Sequence, residues 1–112
     1  MVRASRDSRM LDVVRALGEG EVTTYGEIAE VAGHPGLSRH VGHLLASHDD
    51  PDLPWWRVVN AAGRLVPGGE AEQAALLRAE GVRVEGGRVR EAPVGRFSPG
   101  GRRERRPRRS DP

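Results

Sequence analysis

The sequence predicts a mainly helical α+β fold, a winged helix-turn-helix domain with short β-hairpins. Three observations carry this expectation. Apolar residues recur at helical spacing in three short segments before residue 48, and a Gly-Pro turn separates the second from the third. Beyond them, two pairs of short strand-like segments flank glycine-bearing turns. Helices joined by such a turn form the helix-turn-helix pattern, and a hairpin beside it reads as a wing.

In chain order, Met10, Val13, Val14 and Leu17 lie on one stripe of a first helix. Gly18-Glu19-Gly20 ends it with residues that tolerate a left-handed cap. Thr24 is placed to N-cap a second helix, with Glu27 three residues on to complete a capping box. Ile28, Ala29 and Val31 form its buried face, and Gly33-His34-Pro35-Gly36 makes the turn. Ser38 opens or caps a third helix over 39–47, with Val41, Leu44 and Leu45 inward. Val58-Val59 and Arg64-Leu65-Val66 then flank Asn60-Ala61-Ala62-Gly63 as the wing hairpin. Glu70 to Glu80 is a fourth helix stopped by Gly81. Val82-Arg83-Val84 and Arg88-Val89-Arg90 alternate around Glu85-Gly86-Gly87 as a second hairpin. The domain is expected over 1–92, with 93–112, rich in Pro, Gly and Arg, as a disordered basic tail.

Composition narrows the functional classes. At 112 residues the chain supports one domain. No apolar run approaches the roughly 20 residues that span a bilayer, and the first residues lack a secretory signal, so a cytoplasmic monomer is the expectation. The chain has no cysteine, which removes disulfides, thiolate catalysis and thiolate metal sites together. His34, His40, His43 and His48 offer no third ligand at convincing spacing, so no metal or cofactor is expected. The net charge of +2 is uneven: the segment from Arg96 onward carries +5, leaving −3 on residues 1–95. Such a basic segment attracts phosphates without sequence preference.

A helix-turn-helix alone indicates DNA only weakly. The specific signal lies in Val22-Thr23-Thr24-Tyr25-Gly26-Glu27-Ile28-Ala29, Ser38-Arg39-His40-Val41-Gly42, Pro54-Trp55-Trp56-Arg57-Val58-Val59-Asn60 and Glu80-Gly81-Val82. In order and spacing these resemble the DNA-binding domain of the alkylguanine-DNA alkyltransferases, over roughly residues 8–90. The separate N-terminal domain of the full-length enzymes has no counterpart, as in the alkyltransferase-like subfamily. The family's working motif reads Pro-Cys-His-Arg-Val, in which cysteine accepts the alkyl group and histidine, supported by a glutamate, removes its proton. Here Trp55 stands at the cysteine position, Trp56 at the histidine position and Glu80 at the glutamate. An indole is no substitute for a thiolate, so the resemblance implies no catalytic residue and no alkyl transfer. Alkyltransferase-like proteins keep the histidine, so Trp56 departs even from them.

The same resemblance assigns roles to other residues. Arg39 matches the arginine finger that fills the gap left by an extruded nucleotide, a task suited to a planar guanidinium. Tyr25 matches the tyrosine that crowds the 3′ phosphate and helps rotate the nucleotide out. Thr24 and Ser38 are further DNA-contact candidates, and Gly42 lets the recognition helix approach closely. The implied pocket for the flipped base consists of Tyr25, Trp55, Trp56, Val58, Pro67 and Gly68, with Pro67-Gly68-Gly69 as a shortened lid. Arg64 is a candidate charged probe of the base, and Arg57 reads as structural. The implied partners are double-stranded DNA carrying 6-O-alkylguanine and nucleotide excision repair proteins, with the protein on the nucleoid when bound. The competing reading is a general DNA-binding or regulatory module that keeps the scaffold without lesion recognition, favoured by Trp56, Leu37 and the short lid.

Overall fold

The computed structural model describes residues 5–99. Helix α1 (Arg6–Arg15) starts at Ser5, whose hydroxyl accepts the Ser8 N–H at 3.0 Å. Met10, Val14 and Leu17 turn inward as the stripe predicts, with Val13 at its edge. The helix stops at an Ala16 cap in ordinary helical geometry, so the left-handed residue of the following turn is Gly20, at the approach to strand β1 (Glu21–Thr24).

Strand β1 runs without a loop into α2 (Tyr25–Val31). Thr24 caps that helix as expected, its oxygen accepting the Glu27 N–H at 3.1 Å, while the Glu27 carboxylate accepts the Thr23 hydroxyl at 2.8 Å. Ile28 and Ala29 are buried, but Val31 is 57% exposed. Ala32, four residues beyond Ile28, takes the inward place instead. Gly33, at φ +91°, closes the helix in a Schellman arrangement: its N–H reaches the Glu30 carbonyl and the His34 N–H reaches that of Ala29. A side chain at that backbone angle is strained, which is why glycine occupies the sharp turn between α2 and α3 (Ser38–Ser47). Leu37 occupies the α3 cap position and Ser38 is the first helical residue, so Ser38 does not cap. Val41 and Leu45 are buried and Leu44 packs against them.

The expected wing hairpin is not formed. After a 3-10 turn (Trp55–Arg57), β2 (Val58–Val59) pairs parallel with β1, in the register Thr23 with Val58 and Thr24 with Val59. Val58 and Val59 are both fully buried, one in each of two cores, so the strand is covered on both faces although it lies at the edge of its sheet. Asn60 turns the chain by accepting the Ala62 and Arg64 N–H groups, and Leu65 then donates to Gly87 of the second hairpin. That hairpin forms as expected from β3 (Arg83–Glu85) and β4 (Arg88–Glu91), following α4 (Glu70–Ala79), which ends before Gly81.

The expected boundary at residue 92 falls too early. Val94–Gly95 form β5, parallel to the other edge of β1, giving a three-stranded sheet in the order β2-β1-β5. Phe97 packs on the second core, and its carbonyl accepts the Ala92 N–H at 3.1 Å. Two residues of strand carry too little periodicity to register beside Pro93 and Gly95. The remainder of the expected tail lies outside the described residues.

The first core gathers α1, α2 and α3 with Leu53 and Val58. The second joins Val22, Val59, Leu65, Ala74 and Leu77 to the hairpin residues Val84 and Val89. Gln73, fully buried, ties the layers together: its amide donates to the Trp56 and Val58 carbonyls and accepts the Val66 N–H. Among the described residues no helix is long and apolar enough to cross a membrane.

Candidate nucleic-acid interface

The α2–α3 pair brings the predicted DNA-contact residues to one surface. Tyr25, first residue of α2, lies half-buried against the first core. The position a Cβ would take on Gly42 is 4.0 Å from Tyr25 Cε1, so the bare glycine faces the tyrosine ring across the helix pair. Burial raises the Tyr25 phenol above its ordinary value, which keeps it a neutral hydrogen-bond donor. Ser38 and Arg39 open α3, both exposed, and no side chain caps that first turn. Arg39 has no hydrogen bond or ion pair to any described residue. On the next position His40 turns away to Asp7, Nε2 to Oδ1 at 2.7 Å.

A cleft of about 250 Å³ adjoins this surface. Thr24, Tyr25 and Ser38 line it, together with Gly26, Glu27, Glu30, Asn60, Ala61 and Arg96. Thr24 is only 4% exposed and its oxygen is engaged as the α2 cap, so its first role is structural. Asn60 and Ala61 were not foreseen as site residues, and Arg96 was read only as the first arginine of the basic segment, without a place beside Tyr25. Asn60 was readable as a turn former but not as a neighbour of Tyr25, because that adjacency follows from the parallel pairing of β2 with β1.

The expected base pocket is assembled only in part. The Val58 side chain is fully buried in the first core and its carbonyl accepts from Gln73, so Val58 presents nothing to a ligand. Trp56 also turns inward: its indole N–H donates to Glu80 Oε2 at 2.9 Å and its ring packs on the second core. Arg57 lies over that ring at 5.3 Å, bonds Glu80 through Nε and Nη2, and donates through Nη1 to the Leu17 carbonyl. It is structural, as its position suggested. Burial acts to raise the Glu80 pKa, but Arg57, the Gly20 N–H and Trp56 outweigh it and hold the carboxyl below its ordinary value. Trp56 is thus held with Arg57 over its ring and its N–H tied to Glu80.

Trp55 remains. It is half-buried, meets Trp56 edge-on at 6.1 Å between ring centroids, and its indole N–H has no partner among the described residues. Pro67 and Gly68 are exposed in the turn before α4, where the Gly68 N–H donates to Glu70. Neither they nor Trp55 lines the cleft beside Tyr25. Arg64 is exposed and bridges Arg88 through its backbone. Among the described residues no group of three or more histidine, aspartate or glutamate side chains is placed to hold a metal ion.

Comparison with known proteins agrees with this geometry. A DNA base-flipping protein of Vibrio parahaemolyticus is 43% identical over 75 residues, 64% of this chain and 75% of that protein. The alkyltransferase-like protein 1 of Schizosaccharomyces pombe is 35% identical over 82 residues, 69% of this chain and 76% of that protein. The crystal structure of Schizosaccharomyces pombe Atl1 in complex with damaged DNA containing O6-carboxymethylguanine superposes with a TM-score of 0.67 at 33% identity, covering 76% of this chain and 83% of that one. Residues 5–82 match the family described as 6-O-methylguanine DNA methyltransferase, DNA binding domain, and the chain belongs to that family.

Proposed function

We propose that the protein binds double-stranded DNA and recognises 6-O-alkylguanine by rotating the nucleotide out of the stack. It transfers no alkyl group, and the bound DNA marks the lesion for nucleotide excision repair proteins. The observation that carries this reading is Arg39, an exposed guanidinium at the start of the recognition helix with no partner among the described residues. Inserted through the minor groove, it stacks on the bases beside the gap while its donors reach the orphaned partner base. Tyr25, braced against α3 opposite Gly42, crowds the backbone, and Ser38 with the uncapped first turn of α3 receives a phosphate. Together these offset an unstacking cost of a few kcal/mol.

Trp55 supplies the aromatic face for the extruded base, worth about 1–3 kcal/mol of stacking, and its free N–H adds a donor. The chain has no cysteine to accept an alkyl group, and the histidine that would activate one is replaced by the Glu80-bound Trp56. The names of the relatives support the reading: one is a base-flipping protein, and the Atl1 complex holds an alkylated guanine. The protein acts as a monomer in the cytoplasm, on nucleoid DNA.

The test compares binding to matched duplexes with and without 6-O-methylguanine, with a fluorescent base analogue reporting extrusion. Tighter binding to the lesion, an extrusion signal lost in Arg39→Ala, and alkyl label left on the DNA are expected. Equal affinities leave only a general DNA-binding module and end the lesion-sensor reading.

A further inference from the structure

We infer that Arg96 is a DNA phosphate contact, so that the C-terminal strap over 92–98 forms part of the nucleic-acid interface. This rests on the DNA-binding reading above but concerns a segment beyond the family match, which ends at residue 82.

The strap fixes Arg96 between two anchors. On one side Gly95 pairs with Val22 at φ +92°, so close that a Cβ there would lie 2.9 Å from the Val22 carbonyl oxygen. On the other side Phe97 packs on the second core, its ring 3.3 Å from where a Cβ on Gly63 would stand. With both neighbours held, the Arg96 side chain lines the cleft that Tyr25 and Ser38 share. There its Nη1 lies 3.9 Å from Glu27 Oε1, an ion pair too long for a hydrogen bond, and the side chain is 45% exposed. The fork of donors is thus oriented by one carboxylate and left free of hydrogen-bond acceptors among the described residues. Arg96 is also the cation of this cleft: Glu27 and Glu30 line it as well, and without Arg96 its lining would repel a phosphate. A phosphate brought to Tyr25 and Ser38 by the recognition helix meets this guanidinium, which suits it as a bidentate partner.

Arg96→Gln and Arg96→Lys, with Arg39→Ala as control, are titrated with lesion-bearing and undamaged duplexes between about 50 and 200 mM salt. Arg96→Gln is expected to weaken both duplexes by the same factor, about tenfold, and to reduce the slope of log affinity against log salt by about 0.9. Arg96→Lys is expected to restore most of both. An unchanged slope in Arg96→Gln overturns the assignment, including the case in which affinity falls only with melting temperature, since a bracing role moves stability and not the slope. If the wild type binds and discriminates while Arg96→Gln behaves like it, only this assignment fails. If the wild type binds neither duplex, the DNA-binding reading fails with it.

Discussion

Glu80 concentrates the residue-scale logic of the site. It accepts from the Gly20 N–H at 2.9 Å, from Trp56 Nε1 at 2.9 Å, and from Arg57 Nε and Nη2 at 3.0 and 2.7 Å. The glutamate that would support a proton-relaying histidine still holds an N–H from position 56. An indole N–H only donates, however, so the bond survives while the proton-accepting nitrogen is gone. The cluster has become a structural clamp joining α4, the 3-10 turn and the approach to β1. Glu80 and Arg57 side chains are 11% and 15% exposed, so removing one leaves the other poorly solvated. Glu80→Gln is expected to lower unfolding free energy by about 3 kcal/mol, the lower end for a broken buried pair, measured by urea denaturation at neutral pH. Trp56→Phe removes one donor and should cost about 1 kcal/mol. The pH dependence follows in sign. The folded-state pKa is depressed, so this stabilisation is complete above the unfolded glutamate value of about 4.3 and is lost as pH falls through the folded value. The gap between wild type and Glu80→Gln should therefore narrow on acidification, and a gap that stays constant to low pH would show that ionised Glu80 contributes nothing.

At the scale of elements, what could be read from sequence was what local chemistry determines. The Thr24 cap, the Gly33 closure between α2 and α3, the end of α4 at Gly81 and the β3–β4 hairpin each depend on residues within a few positions of one another. The placement of Tyr25, Ser38, Arg39 and Gly42 on one helix pair was instead legible through the family resemblance, which carries both helices at once. The parallel pairings of β2 and β5 with β1 are different, because their partners lie tens of residues away and carry no shared pattern. That is why a wing hairpin was expected in place of β2, why the burial of Val58, which the family resemblance had put in the pocket, was not foreseen, and why Asn60 and Arg96 were not placed beside Tyr25. Trp56 misled for a related reason: its partner Glu80 was identified, but the direction of the ring is decided by the second core. The clearest test of β5 as an element is Gly95→Ala. The added Cβ combines a strained backbone angle with the close approach to the Val22 carbonyl, so the substitution should cost more than about 1 kcal/mol. Amide exchange should quicken at Val94, whose N–H bonds Gly20, and at Ser98, whose N–H bonds Gly95. Protection at both sites equal to wild type would mean that the strap does not depend on β5 pairing.

At the scale of the whole molecule, charge and fold are separable. Residues 1–95 carry −3, so the body that presents Arg39 does not attract DNA by net charge, and the +5 from Arg96 onward reverses the sign. Among the described residues, 5–99, both cores and the three-stranded sheet are formed. Shortening the chain to 1–99 removes six arginines, Glu104 and Asp111 and leaves a net charge of −2. Melting temperature should stay within about a degree of wild type, because every core residue among the described ones is kept. DNA affinity should fall, and the slope of log affinity against log salt should shrink by up to about 0.9 for each arginine that had displaced a counterion. The ratio between lesion-bearing and undamaged duplexes should hold, because phosphate attraction carries no base information and the residues proposed to read the lesion, Arg39, Tyr25 and Trp55, remain. Shortening to 1–92 should instead lower stability as well, since it removes β5 and Phe97 along with Arg96. Equal salt slopes for the full chain and 1–99 would show that the arginine-rich segment stays off the DNA, and a changed lesion ratio would place it in recognition rather than attraction.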